Sequence, residues 1–260
     1  MHHNYLALRT TRSNRLDGCK IKHRRLPNAM KRKHLRSSLA SLLLVASLVL
    51  GITSCGSSGS RVRFVSADFT FQGNVDILID NRVVSTNLAY GAGTSYQGVS
   101  SGARKLEVRP TGSTSSGTDY VNTTLNVQGS SDTTVVLDYS GGSVATPFTD
   151  KNSAPSSGIL IRAIHAASFL GPLDVYMIQQ NQGISGLSPQ FPNVAFNTAT
   201  NKYQPLQDGS WEVVFTSAGT QNIVRDTGTT IPTLGTGSIR TVVAVNTLNS
   251  SPGYIVLTDR

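Results

Sequence analysis

Two stretches of this chain repeat one another, and the repeat constrains the fold more than any other feature of the sequence. Residues 63–67 match residues 162–166, and residues 75–79 match residues 173–177. Further matches keep one fixed offset: Tyr96, Gly102, Val108, Gly112 and residues 134–136 correspond to Tyr203, Gly209, Phe215, Gly219 and residues 241–243. The change of offset between the two groups places a longer loop in the second copy, around residues 179–192. The chain should therefore contain two copies of one folding unit.

Within each copy, the apolar residues alternate with a period near two, as in β-strands. The runs are short and rich in β-branched and aromatic residues, for example residues 61–65 and 105–108. Clusters of Gly, Asn, Asp, Ser and Pro separate them and are typical of turns. We therefore predict an all-β fold of two tandem antiparallel β-sandwich domains, at residues 61–140 and 159–260, joined by a linker at residues 141–158.

The repeat unit resembles a known domain family. It combines an Arg-Val-Arg-Phe-Val-Ser-Ala strand at residues 61–67, a Val-Asp-Ile-Leu-Ile-Asp strand at residues 75–80, and Tyr96 followed six residues later by Gly102. This pattern is similar to the DUF4397 family, a domain of unknown function found on exported bacterial proteins, often in tandem. The resemblance covers nearly all of residues 61–260 and implies Ig-like or transthyretin-like sandwiches in the cell envelope. It implies no catalytic residues.

The amino-terminal part of the chain resembles a bacterial lipoprotein signal. A basic segment begins at Met30 and is followed by an apolar run, too short to span a bilayer comfortably, that ends just before Cys55. We predict that residues 30–54 are a cleaved signal peptide, that Cys55 is lipidated, and that residues 55–60 are a Gly/Ser tether. Residues 1–29 are either an extension from a mis-called start codon or a genuine basic extension. The alternatives are a secretory signal with a chance cysteine, or an uncleaved helix.

The positive charge of the chain is confined to its leader. Eleven of the 23 Lys and Arg residues, but only one of the 14 acids, lie in residues 1–54, so the remaining 206 residues carry a net charge of −1. Such a body lacks the basic surface that nucleic-acid binding requires. With Cys19 in the leader and Cys55 acylated, no disulfide can form in the processed chain.

Four residues of the body are weak candidates for a ligand site. Asp76 and Asp174 occupy the same position of the repeat, but strand alternation favours a solvated acid or a hydrogen bond to a turn amide. His165 is the single histidine after the leader, which is too few for a zinc site, and a strand-end histidine bonded to the backbone is favoured. Trp211 could stack on a sugar, although placement in the core is favoured.

The sequence contains no recognisable catalytic triad, pair of glycosidase carboxylates or calcium-binding loop, so we expect no enzyme activity, metal or cofactor. The hypothesis favoured is a lipid-anchored envelope protein that acts in adhesion or in glycan or ligand binding at the cell surface. The alternative is a structural spacer or assembly subunit that binds other envelope proteins. The leader resembles those of lipoproteins from two-membrane bacteria, in which a residue other than Asp after the anchor cysteine usually accompanies sorting to the outer membrane. Gly56 at that position therefore implies the outer membrane.

Overall fold

The computed structural model describes residues 59–114, 116–248 and 253–259, in which nearly all of the regular secondary structure is β-strand. The first repeat contains eight strands: β1 (Arg61–Ser66), β2 (Val75–Ile79), β3 (Arg82–Leu88), β4 (Gln97–Gly98), β5 (Gly102–Pro110), β6 (Val121–Val127), β7 (Asp132–Tyr139) and β8 (Ser143–Asp150). The second contains nine: β9 (Ile159–His165), β10 (Leu173–Gln179), β11 (Phe191–Val194), β12 (Thr198–Ala199), β13 (Gln204–Leu206), β14 (Trp211–Ser217), β15 (Ile223–Asp226), β16 (Ile239–Ala244) and β17 (Tyr254–Thr258). Two 3-10 turns lie at Ser116–Thr118 and Gly228–Thr230.

Each repeat is a sandwich of two sheets, and the two repeats have the same strand order. In the first, sheet β4-β1-β7-β8 faces sheet β3-β2-β5-β6; in the second, sheet β12-β9-β16-β17 faces sheet β11-β10-β14-β15, with β13 also paired to β9. Most pairs are antiparallel, but β1 with β7 and β9 with β16 are parallel. The prediction of an all-β sandwich fold is confirmed, with one parallel pair per repeat that alternation alone does not reveal.

Alternation along the strands explains the two cores. In the first repeat the inward residues include Phe64, Ile77 and Val108, all fully buried. In the second repeat the corresponding residues include Val175 and Phe215. Burying apolar side chains of this size stabilises a fold by about 1.5–3 kcal/mol each, so these two clusters supply most of the driving force within each sandwich.

The linker differs from the sequence prediction. Residues 143–150, which fall inside the predicted linker at residues 141–158, form strand β8 and pair with β7 along its whole length. The Ser and Gly residues at 140–142 form a tight hairpin turn between β7 and β8 rather than an interdomain connection. The connection between the sandwiches is therefore only residues 151–158.

The two sandwiches form one compact unit. The outer face of the β1–β7 sheet packs on the outer face of the β9–β16 sheet, which explains why β1 and β9 are buried on both faces. This contact, called the seam below, has its own apolar cluster of nine buried residues: Val65, Ala67, Val136, Ile164, Ala166, Val243, Val245, Ile255 and Leu257. The described residues include no helix long and apolar enough to cross a membrane.

The longer loop predicted in the second repeat is present between β10 and β11. Its Ile184 is buried against Tyr176, Ile178 and Val214 on the outer face of the sheet. The first repeat has a tight turn at the same place, with β2 ending at residue 79 and β3 beginning at residue 82. The loop therefore gives the second repeat a surface that the first repeat lacks.

Candidate functional site

The seam contains a buried network of charges that the repeat makes nearly two-fold symmetric. Arg63 in β1 is 1% exposed. Its Nε donates to Thr134 Oγ1 (2.8 Å), its Nη1 donates to the backbone oxygen of Thr258 (2.9 Å), and its Nη2 donates to the carboxylate of Asp259. The arginine of the first repeat thus pairs with the acid at the end of the last strand of the second repeat.

Arg162 in β9 makes the reciprocal set of contacts. Its Nε donates to Thr241 Oγ1 (3.1 Å), its Nη1 donates to the backbone oxygen of Thr149 (2.8 Å), and its Nη2 donates to the carboxylate of Asp150. Each arginine therefore binds the acid of the opposite repeat. This crossed pairing fixes the two sandwiches against one another.

A tyrosine in each repeat completes the network. Tyr96 donates its hydroxyl to Asp150 Oδ2 (2.6 Å), and Tyr203 donates to Asp259 Oδ2 (2.8 Å). Each ring also lies under the guanidinium of its own repeat, 4.6 and 4.9 Å from ring centroid to Cζ. Burial and the charge of Asp150 raise the pKa of Tyr96, and burial likewise raises the pKa of Tyr203. Both hydroxyls consequently remain donors at any physiological pH.

The two repeat-equivalent acids are clamps for backbone turns. Asp76 accepts the N–H of Asn87 (2.8 Å) and of Gly112 (2.9 Å). Burial by itself would raise the pKa of Asp76, but these two N–H groups, together with the Thr111 hydroxyl and the charge of Arg109, outweigh it and lower the pKa. The partners have φ angles of 57° and 79°, in the left-handed region that Asn and Gly tolerate best. The hydrogen bond from Gly112, in the turn after β5, is the turn-amide role predicted for this acid, whereas Asn87 lies within β3.

Asp174 makes the same clamp in the second repeat. It accepts the N–H of Asn193 (2.7 Å) and of Gly219 (2.8 Å), whose φ angles are 54° and 74°. The carboxylate is 4% exposed. With one oxygen committed to each N–H, Asp174 holds the strand that follows the long loop.

His165 and Trp211 have structural contacts. His165 is 1% exposed, with Nε2 3.0 Å from the oxygen of Gly171 and Nδ1 accepting the N–H of Ala167 (3.3 Å). Burial lowers its pKa, so the ring is neutral near pH 7. Trp211 packs on the core of the second repeat and donates Nε1–H to the oxygen of Gln207 (2.9 Å). Cys55 lies outside the described residues.

An open groove of about 540 Å³ lies between the edge strands β11 and β12 of the second repeat. This volume falls within the range of small-ligand sites. Its walls are two segments of chain, residues 190–195 and residues 198–202. A smaller cavity of about 260 Å³ lies beyond residues 199–202 and reaches Arg162 and Tyr203 of the seam.

Three polar side chains of the groove lining leave their hydrogen-bonding capacity unused. Asn193, Asn201 and Lys202 are exposed, and their side chains form no hydrogen bond or ion pair within the part of the chain that the structure describes. Gln190 comes from the long loop and also lines the groove, and its Oε1 accepts the N–H of Met177 (2.8 Å). The lining contains no carboxylate, so its charge is positive.

Two of the predicted candidates stand behind this groove, and two lie elsewhere. Asp174 holds the backbone of Asn193 in the groove wall, and His165 is the strand partner of Thr198 in the opposite wall. Asp76 belongs to the other repeat, and Trp211 pairs with Gln179 away from the groove. Among the described residues, no group of three or more His, Cys, Asp and Glu side chains could hold a metal ion.

Comparison with known proteins gives the family and little more. The sequence pattern of one protein family, described as a domain of unknown function (DUF4397), matches residues 60–176 and residues 160–260. No protein of curated function matches the chain significantly. Among solved structures, the chain is similar to the one described as "Alpha-glucan binding by a streptococcal virulence factor", at 10% identity and a TM-score of 0.24, over 64% of this chain and 86% of that one. A TM-score this low does not establish a shared fold.

Proposed function

Because the chain belongs to the DUF4397 family, whose function is unknown, we propose from its own residues that the protein is a lipid-anchored, non-catalytic binding module of the bacterial cell envelope. In this proposal the groove between β11 and β12 takes a glycan or another polar ligand, and the protein serves in adhesion at the cell surface. The proposed partners are membrane lipid, through acylated Cys55, and this glycan.

The unused donors of the groove carry the proposal. Side-chain amides both donate and accept hydrogen bonds, which suits the hydroxyl groups of sugars, and three of them border this one groove. Exposed polar side chains on a rigid frame favour recognition over packing, because packing would have buried or paired them. Asn193 is further held in place by the buried carboxylate behind it.

The positive charge refines the ligand. Lys202 brings an ammonium group to a lining without carboxylates, so an acidic sugar should bind better than a neutral one. The groove has an acid behind its wall but none facing the ligand, which is why we propose binding without bond cleavage.

Substitution of the groove tests the binding role. We expect Lys202→Ala combined with Asn201→Ala to weaken binding of uronic-acid oligosaccharides at least tenfold, because about 1.5–3 kcal/mol is lost with each charge-assisted hydrogen bond. Calorimetric titration, preceded by a glycan array, measures this. Arg82→Ala is the control, since it removes an exposed cation from the first repeat. Unchanged affinity in the groove variant, or no glycan bound by a folded sample, would exclude the glycan role.

Lipid anchoring is tested independently of the ligand. We expect the protein from the membrane fraction of its native host to have the mass of residues 55–260 plus acyl chains, and a Cys55→Ala variant to lack that species. Intact-protein mass spectrometry measures both. An unlipidated full-length chain would contradict the anchoring and outer-membrane proposals. It would also mean that the basic leader is part of the functional protein.

The seam favours a second candidate, a structural spacer or assembly subunit. The buried charge network and its apolar cluster hold the two sandwiches in one orientation, a property that a spacer needs and a single binding domain does not. This role predicts envelope proteins that cross-link to the chain in cells and indifference to sugars. Cross-linking of the groove variant separates the two, because spacer contacts would survive the loss of Lys202.

A further inference from the structure

A pair of buried acids lies on the seam beyond the charge network. Asp68 and Asp138 are both fully buried. Asp68 Oδ1 accepts the N–H and the hydroxyl of Thr70, at 2.8 and 2.6 Å. Its Oδ2 and both oxygens of Asp138 have no hydrogen-bond partner among the described residues. Three orphaned carboxylate oxygens at one place are an exception to the rule that buried polar groups are paired.

No positively charged side chain among the described residues forms an ion pair with these two acids. Neither acid takes part in an ion pair within residues 59–114, 116–248 and 253–259. Arg225, on the second-repeat side of the seam, directs its guanidinium to the backbone oxygens of Val224, Val245 and Gly253 instead. Two carboxylates buried without a counter-charge are strongly unfavourable, so something outside the described protein atoms must compensate them.

The second repeat shows that the fold does not require these acids. Ala67 N–H donates to the oxygen of Leu137, and Ala166 N–H donates to the oxygen of Ala244, which aligns the two repeats at this point. The residue after each alanine is Asp68 in one repeat and Ala167 in the other. By the same alignment Asp138 corresponds to Val245, which packs in the seam as an apolar residue. The acid pair is thus an addition to the repeat.

We propose that Asp68 and Asp138 bind one divalent cation of the calcium type inside the seam. Two carboxylates neutralise one divalent charge, and their three free oxygens are the hard ligands that Ca²⁺ prefers. Ca²⁺ also accepts irregular coordination completed by carbonyls and water, which suits a site with only two acids. Phe69 and Tyr139, which directly follow the two acids, are in ring contact with each other (5.2 Å between centroids).

A shared proton is the competing occupant. Burial, with the charge of Asp68 adding to it, raises the pKa of Asp138 to about 7. In the absence of a cation, the pair would therefore hold a proton near neutral pH, and the wild-type protein would gain stability as the pH is lowered from 8 to 6. A cation displaces that proton. Added Ca²⁺ should therefore stabilise the protein if the pair binds a cation, and should have no effect if the pair holds only a proton.

Calcium titration of the chelator-treated full chain at pH 7.5 tests the proposal. We expect calorimetry to find one Ca²⁺ site per chain, and thermal unfolding to shift upward by ~5–10 °C at a hundredfold excess over Kd. The variant Asp68→Ala with Asp138→Val carries the residues of the second repeat at these positions, so it should fold, and it should lose both responses. Asp138→Asn, nearly isosteric, should lose them as well.

The control variant is Asp208→Asn, which removes an exposed acid whose hydrogen-bond partner is Thr236, outside the acid pair, and should leave both responses unchanged. The proposal is overturned if the wild type shows no binding heat and no thermal shift with CaCl2. It is also overturned if the double variant binds Ca²⁺ as the wild type does. A wild type that responds to pH between 6 and 8 but not to Ca²⁺ identifies the proton as the occupant.

Discussion

Replacing Asp150 by alanine should lower the free energy of unfolding by about 3–5 kcal/mol, because the change leaves a buried guanidinium without its acid. Asp150 is fully buried at its side chain and accepts from Arg162, Tyr96 and Thr134. Arg63 also approaches it, at 3.8 Å, but that arginine keeps its own partner in Asp259. Urea unfolding at pH 7 measures the loss.

Asp80→Asn is the matched control, since it weakens an ion pair with Arg104 in which the acid side chain is 45% exposed. Exposed pairs of this kind contribute at most about 1 kcal/mol. Asparagine also tolerates the positive φ of 49° at that position. A loss for Asp150→Ala no larger than for the control would mean that the crossed network does not stabilise the seam.

The same experiment reports whether the two repeats unfold together. Since Asp150 belongs to the first repeat and its arginine partner to the second, its loss should shift the unfolding of both repeats in one transition. Two separate transitions, with only one of them shifted, would contradict the description of the two sandwiches as one compact unit.

Replacing Asp174 by alanine should lower the free energy of unfolding by about 3 kcal/mol, because two backbone N–H groups lose a charged acceptor in a buried site. Asp174→Asn keeps one acceptor oxygen and should lose about half as much. Because Asp174 fixes Asn193 in the groove wall, the alanine variant should also weaken ligand binding. A stability change below about 1 kcal/mol would show that the turns hold without the clamp.

Asp76 is the partner experiment in the first repeat, and it adds a pH dependence. Its pKa in the folded protein lies below the usual 3.8, so its contribution is present above pH 3.8 and is lost as the pH falls through the folded value. Asp76→Ala should therefore destabilise by about 1–2 kcal/mol at pH 7, and the difference from wild type should shrink below pH 3.8. A difference independent of pH would exclude the charged clamp.

Much of the fold follows from the sequence because the repeat and its alternation report on local packing. Val75, Ile77 and Ile79 lie at alternate positions of one strand, and they face the core. The turn role of Asp76 and Asp174 could also be predicted from the sequence, because Asn and Gly residues that favour positive φ follow both acids in the chain. Strand β8 was missed because Ser143, Pro147 and their neighbours resemble a loop, and only edge pairing to β7 makes them a strand.

The seam was beyond prediction from a single copy, because its contacts depend on how the two copies pack. One signal was present all the same: Arg63 and Arg162 stand at the same place in a buried strand, as do Tyr96 and Tyr203 in their turns. A charge kept between apolar neighbours in both copies indicates a buried partner. The groove gave no such signal, because its donors come from loops whose spacing carries no period.

The crossed pairing also determines when the protein can finish folding. Arg63 and Asp259 are 196 positions apart in the chain, whereas the cores of the two sandwiches form from residues much closer together. Contacts between distant residues form late, because a long loop must close before they contribute. A chain emerging from the ribosome therefore holds an unpaired arginine and an uncovered apolar seam until its last strand is made. During that interval the nascent protein is open to capture by a chaperone or by a neighbouring chain.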